Sequence, residues 1–163
     1  MSKNTDQPSD PLLELPGYLV RRASMGVLAE LNVRLAEFEL RHISFALLQL
    51  IAANPGIKQT DAGRALEIKR ANMVPLIAAL EERGLLIRKP IDGRSQGIEL
   101  TAAGKRLAKK ALRSVQAYER ELMERVPENL RSAVIPVLTY LWKGDDERES
   151  ADDEERPVKA VGG

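Results

Sequence analysis

The sequence predicts a mainly α-helical protein with one small β-hairpin, and three observations predict it. Apolar residues recur at three- and four-residue steps over long stretches, the spacing that lines one face of a helix. Aromatic residues make up only 4% of the 163 residues, so the core must be built from Leu, Ile, Val and Ala. The helical pattern gives way once to a pair of strand-like runs, residues 85–90 and 97–101, flanking Ile91-Asp92-Gly93-Arg94-Ser95-Gln96.

Residues 1–15 are polar, contain Pro8 and Pro11 and show no periodicity, so disorder is expected there. A long helix begins after Pro16-Gly17, with Leu19, Ala23, Val27, Leu31, Leu35 and Phe38 on one face. Ser44 is a reasonable N-cap for the next helix, which carries Phe45, Leu47, Leu48, Leu50 and Ile51 and stops in the turn Asn54-Pro55-Gly56. A compact helix at residues 57–66 has a small residue, Gly63, within it. Another starts near Lys69, places Met73, Leu76, Ile77 and Leu80 on one side, and ends at Gly84. Pro75 falls inside that helix, removes one backbone donor and should bend it near Ala71.

Past the hairpin, Thr101 can cap a long helix with Leu107, Ala111, Val115, Tyr118, Leu122 and Val126 in register, interrupted at Pro127. A last helix at residues 128–143 is closed by Gly144. Its apolar side is Leu130, Val134, Val137, Leu138, Leu141 and Trp142, and Pro136 predicts a kink or a missing hydrogen bond. Residues 145–163 are acidic, then small and featureless, and are expected to be disordered.

Helix, turn, helix and hairpin over residues 57–101 is the layout of a winged helix-turn-helix, which lays its second helix in a DNA major groove. The expected organisation is one winged-helix domain at residues 16–144, large enough to bury most of its apolar surface. Its DNA-binding lobe covers about 43–101, and long helices at about 16–40 and 101–144 form a dimerisation lobe. Long amphipathic helices around so small a module need a surface to bury against, and a symmetric homodimer supplies one.

Charge follows this division. The chain has a net charge of only +1, but residues 57–113 carry 13 Lys/Arg against 6 Asp/Glu. The tail from Asp145 onward has 8 acidic residues against Arg148, Arg156 and Lys159. The basic excess coincides with the candidate DNA-binding segment, as a phosphate backbone requires, although solvated helix faces also collect such charge.

Composition excludes much chemistry. There is no cysteine, hence no disulfide, no Cys-ligated zinc and no thiol nucleophile. The one histidine, His42, cannot by itself build a metal site or a Ser-His pair, and no phosphate-binding loop is present. No enzyme, metal or cofactor is therefore expected. The N-terminus lacks the apolar core of a signal peptide, and the longest uncharged run, residues 42–57, is too short to span a bilayer. The expectation is a cytoplasmic protein with no membrane partner.

On the second helix of the module, Arg70 can donate bidentately to guanine and Asn72 can pair with adenine. Lys58 and Lys69 suit phosphate contacts, which set affinity rather than sequence preference. Asp92-Gly93 is a turn signal at the hairpin tip, from which Arg94 would reach a minor groove or a phosphate. Asp92 can orient that guanidinium, while Arg88 and Lys89 add charge on the first strand. Each residue also has an ordinary reading, Asn72 as a turn cap and the cations as solvated charge; the surrounding architecture favours the functional one.

These residues resemble the MarR family of bacterial winged-helix regulators over residues 16–144. The family's first-helix pattern matches Ile57, Gln59, Asp61, Ala62, Gly63 and Leu66, and its Gly-Leu after the recognition helix matches Gly84-Leu85. Its wing pattern matches Asp92, Arg94, Leu100, Thr101 and Gly104. A departure is Gln96, where many members carry a further basic residue, which would leave wing affinity to Arg94. The resemblance implies a homodimer on a pseudo-palindromic double-stranded DNA operator, usually repressing transcription and releasing DNA when a small aromatic effector binds.

Residues 16–22 and 70–76 are similar to a branch controlling aromatic-acid catabolism, whose effector can be a hydroxycinnamoyl-CoA thioester such as feruloyl-CoA or coumaroyl-CoA. Tyr18, Arg21, Arg22 and His42 lie near the expected junction of the lobes, where arginines can pair with a carboxylate or phosphate; the ordinary reading is that Arg21 and Arg22 are solvated and His42 caps a helix. The alternative is a winged-helix protein-interaction module without DNA binding. The basic bias argues against it, because protein interfaces tend to be depleted in Lys.

Overall fold

The computed structural model describes residues 10–92 and 95–143. The order is α1 (Pro16–Ala36), α2 (His42–Ala53), β1 (Ile57–Lys58), α3 (Gln59–Ala65), α4 (Arg70–Glu82), β2 (Leu86–Asp92), β3 (Ser95–Leu100), α5 (Ala102–Glu124) and α6 (Glu128–Lys143). The three strands form one antiparallel sheet in the order β1-β3-β2. This is the mainly α, winged helix-turn-helix architecture expected from the sequence. The chain divides into two compact units, Met1–Tyr118 and Glu119–Gly163.

Several boundaries differ from expectation. Pro11–Glu14, expected to be disordered, form a short 3-10 turn whose first amides are met by Asp10, with Leu12 N donating to its Oδ1 at 3.0 Å. The rest of the two terminal tails, residues 1–9 and 144–163, lies outside the described residues. Helix α2 starts at His42 rather than after Ser44, because its cap comes from another helix: the His42 amide donates to Asn32 Oδ1 on α1 at 2.9 Å. Ile57 and Lys58, read as the start of a helix, are a two-residue strand paired with Ile98 and Gly97 of the wing. Phe38 and Val126 lie just beyond α1 and α5, which end at Ala36 and Glu124.

The first unit has one core. Leu47, Leu48 and Ile51 from α2, Met73, Ile77 and Leu80 from α4, Leu86, Ile98 and Leu100 from the wing, and Ala108, Ala111 and Val115 from α5 are all buried in it. Only the C-terminal end of α1 joins this core: Leu35 is buried and Leu31 packs against it, whereas Leu19 is exposed. Tyr118 is buried and donates its hydroxyl to the Val27 carbonyl at 3.1 Å, tying α5 to the middle of α1. Those contacts give the small lobe a rigid frame on which α4 is mounted.

Two joints fix α4 relative to the wing and α5. Gly84 ends the helix with φ +68°, a left-handed conformation that glycine adopts without the steric cost a Cβ would add. Thr101 then bonds in both directions: its hydroxyl donates to the Gly84 carbonyl at 2.7 Å and accepts the Gly104 amide at 3.0 Å, as expected of an N-cap. A Cβ on Gly104 would collide with the Leu85 carbonyl, so only glycine lets α5 start this close to the wing. Pro75 and Pro136 both lie inside continuous helices. Pro75 removes the amide that would bond the Ala71 carbonyl, a cost of about 3 kcal/mol in a helix interior.

Candidate nucleic-acid interface

Helix α4 has two faces of opposite environment. Met73, Ile77 and Leu80 are buried, and Leu76 beside them is partly so. Arg70, Ala71, Asn72, Val74, Pro75 and Ala78 are exposed. The burial spacing of i, i+4 and i+7 anchors one side to the core and leaves the other free along its length. Lys69 is the N-cap residue; its carbonyl accepts the amides of Asn72 and Met73 at 2.9 and 3.1 Å.

Beside the N-terminal half of α4 lies a concave surface of about 750 Å³, between α3, α4 and the wing. Lys58, Arg64, Lys69, Arg70 and Arg88 line it, with Glu67 as the one acidic residue on its wall. The side chains of Lys58, Lys69 and Arg70 have no partner among the described residues. Arg64 makes one loose contact, 3.7 Å to Asp61, in which its own side chain remains 83% exposed. Ion pairs this exposed contribute little, so all four cations remain available to an anion. Four cations around one concavity make a local positive field that a polyanion can neutralise.

The remaining DNA-contact candidates divide. Arg88 turns inward along the wing base: Nε donates to both Glu81 carboxylate oxygens at 3.0 and 3.2 Å, and Nη1 to Gln59 Oε1 at 3.4 Å. It therefore joins strand β2 to α4 and α3. Lys89 is held by Glu99 across the hairpin at 2.6 Å. Both charges expected to face DNA thus have partners within the protein, and Arg88 braces the wing against α4. Asp92 belongs to β2 by its backbone pairing with Ser95, whereas Gly93 and Arg94 lie outside the described residues. Arg64 and Glu81 are not singled out by the sequence, and Gln59 enters there only through the family's first-helix pattern. Arg64 was visible as part of the charge excess, but the Glu81–Arg88 pair spans a turn and a strand and has no local signature.

The four effector candidates do not form one cluster. Arg21 and Arg22 both lie over the Tyr18 ring, at 5.3 and 5.8 Å from its centroid, and Arg22 Nη1 donates to the Tyr18 hydroxyl at 3.4 Å. That hydrogen bond raises the Arg22 pKa above its ordinary value. His42 stands elsewhere, its Nδ1 3.3 Å from Asn32 Oδ1. Tyr18 and Asn32 are about 21 Å apart along α1 at 1.5 Å per residue. One protomer therefore brings together Tyr18, Arg21 and Arg22 but not His42.

The geometry has counterparts among known proteins. A model of the MarR family matches residues 40–95, the segment from the start of α2 to the wing. A solved structure of the transcriptional repressor CouR bound to a 23-mer DNA duplex is 33% identical, with a TM-score of 0.78 over 84% of this chain and 99% of that one. CouR bound to p-coumaroyl-CoA is 31% identical, with a TM-score of 0.77 over 85% of this chain and 99% of that one. A Thauera aromatica protein assigned by its description to regulation of the hcr operon is 29% identical over 105 residues, and the chain spans 63% of its length. Among the described residues no helix is long and apolar enough to cross a membrane. The chain belongs to the MarR family, and is a winged-helix transcriptional regulator rather than an enzyme.

Proposed function

We propose that the chain acts in the cytoplasm as a homodimeric repressor that binds a pseudo-palindromic operator and leaves it when an aromatic acyl-CoA binds. The observation that carries the proposal is the cation-lined concavity beside the exposed face of α4. In this reading Lys58, Arg64 and Lys69 hold phosphates; Arg70, expected at a guanine, lines the same concavity and joins them there, Asn72 reads an adenine edge, and Arg94 reaches the flanking backbone. Arg88 acts indirectly, by holding the wing against α4, and Lys89 by joining the two strands of the wing.

Dimerisation rests on α6 and the exposed part of α1. No residue of α6 is buried, although it carries Leu130, Ile135, Leu138, Leu141 and Trp142. Two copies related by a twofold axis would place their α4 helices about one DNA turn apart, roughly 34–36 Å. An effector that prefers a dimer of different spacing lowers operator affinity only by its differential affinity for the two states.

For the effector, the likeness to CouR supports an aromatic acyl-CoA. The Tyr18-Arg21-Arg22 cluster offers two guanidiniums and an aromatic face to a phosphate-bearing aromatic ligand. The test is a gel shift with DNA from upstream of the chain's own gene, with and without p-coumaroyl-CoA. Salt-sensitive binding that the thioester abolishes, and free coumarate does not, is the expected result. Absence of salt-sensitive binding would remove the repressor reading, and binding insensitive to the thioester would remove the acyl-CoA effector.

A further inference from the structure

The outward face of α4 is not polar. Ala71, Val74, Pro75 and Ala78 are all exposed, and they stand at i, i+3, i+4 and i+7, the spacing of a single helix face. The same spacing, displaced by two residues, gives the inward stripe of Met73, Leu76, Ile77 and Leu80, of which Leu76 is partly buried and the others fully. Two residues correspond to a rotation of about 200°. The helix therefore carries two apolar stripes on opposite sides, one in the core and one facing away from it. Isolated exposed apolar residues need no explanation, but a continuous stripe on the side of a helix that faces solvent does.

Its flanks define what it faces. Rotated from the middle of the exposed stripe, Asn72 lies on one side, while Arg70 lies on the other and lines the cationic concavity. Lys58, Arg64 and Lys69 extend that positive rim. An apolar strip with a cationic border fits a surface that is anionic at its margin and carries apolar groups on its floor. In a DNA major groove, phosphates form the margin, and the C5-methyl of thymine is the apolar group each A·T pair presents. The side chains of the stripe are all small, so the helix backbone can approach the groove floor without displacing a long side chain. Pro75 fits the same account. It has no backbone N–H, and its ring adds apolar surface in the centre of the stripe.

We infer that Ala71, Val74, Pro75 and Ala78 read thymine methyl groups in the operator, with Val74 and Pro75 making the central contacts. The assignment rests on the DNA-binding reading above and adds the source of its sequence preference. Arg70 and Asn72 then act from the edges of an apolar reading surface.

The test uses the full-length protein and a site selected from random-sequence duplex DNA. Each thymine of the half-site is replaced in turn by deoxyuridine, which removes the methyl group and leaves the hydrogen-bonding pattern intact. Loss of one buried methyl-sized group should weaken binding about fourfold for each half-site altered, at one or two adjacent positions. In Val74→Ser or Pro75→Ala protein the penalty at those positions should fall towards one, whatever the absolute affinity of the variant. Pro75→Ala restores a helix donor, so its reading is not confounded by loss of fold. Selected sites without thymine in the half-site, or a deoxyuridine penalty absent at every position, would overturn the inference. So would a penalty of unchanged size in both variants. Failure to select any sequence, with binding that is nevertheless salt-sensitive, would overturn it while leaving DNA binding intact; absence of DNA binding would overturn both.

Discussion

Helices α4 and α6 both expose apolar side chains and both contain an internal proline, yet they are built for different surfaces. On α4 the exposed residues are small, the opposite side is locked into the core through Met73, Ile77 and Leu80, and cations border the free face. On α6 nothing is buried, and the exposed residues are large: Ile135 is 74% exposed, Tyr140 68% and Trp142 72%. A shallow apolar strip with a charged border suits a groove of fixed shape. Large unpaired Leu, Ile and Trp side chains instead supply the area that a protein partner must cover. Size and charge context, rather than apolar exposure as such, separate a reading face from an association face.

The contrast is broken most severely at α6. Leu138→Asp combined with Leu141→Asp should convert the proposed dimer to monomer, because each Leu buried in it would contribute about 1.5–3 kcal/mol and two are lost from each protomer. Sedimentation velocity would show the monomer, and operator binding should fall with it. A dimer that persists would place the association surface elsewhere.

The two sides of α4 should then separate fold from reading. Ile77→Ala removes a side chain with no exposure and should cost about 2–5 kcal/mol of stability. Val74→Ser, at a residue 46% exposed, should leave stability within about 0.5 kcal/mol. Chemical denaturation of the two variants measures the difference. Similar losses in both would mean that Val74 is part of the packing.

At the flank of the stripe, Asn72→Ala should relax specificity at one operator position by about 1–3 kcal/mol. Equal losses across all operator variants would move Asn72 to the phosphate-positioning group. The smallest effect concerns the brace. Arg88→Ala breaks an ion pair in which the two side chains are 35% and 27% exposed, and should cost about 1 kcal/mol or less in stability. Its signature is a similar weakening for every DNA sequence, seen by comparing operator and random duplex.

The sequence carried the architecture further than the site. Helix α6 begins at Glu128 as expected, because Pro127 marks its start locally, and it stays helical to Lys143, the last residue described. Thr101 was legible as a cap because its bond to Gly104 spans only three residues. What escaped was non-local. The start of α2 is set by Asn32 from α1, and β1 exists only through its pairing with Ile98 and Gly97. Arg88 and Lys89 look like free charges in the sequence because Glu81 meets Arg88 only once β2 folds back along α4, and Glu99 meets Lys89 only once the hairpin closes. Tyr18 and His42 were grouped by residue type and expected position, and the length of α1 separates them. Pro75 was read as a disruption of the helix; its place in a second apolar stripe emerges once the burial of Met73, Ile77 and Leu80 fixes which side of α4 faces out.

The central claim is that a cationic surface around α3 and α4 binds the DNA backbone, and the salt dependence of operator binding tests it most directly. In the proposed dimer, Lys58, Arg64, Lys69 and Arg70 of both protomers would provide eight phosphate contacts, so log K should fall against log salt with a slope of about −7. The quadruple alanine variant should retain its fold and lose most of that slope. A wild-type slope near zero, or one unchanged in the variant, would contradict the account.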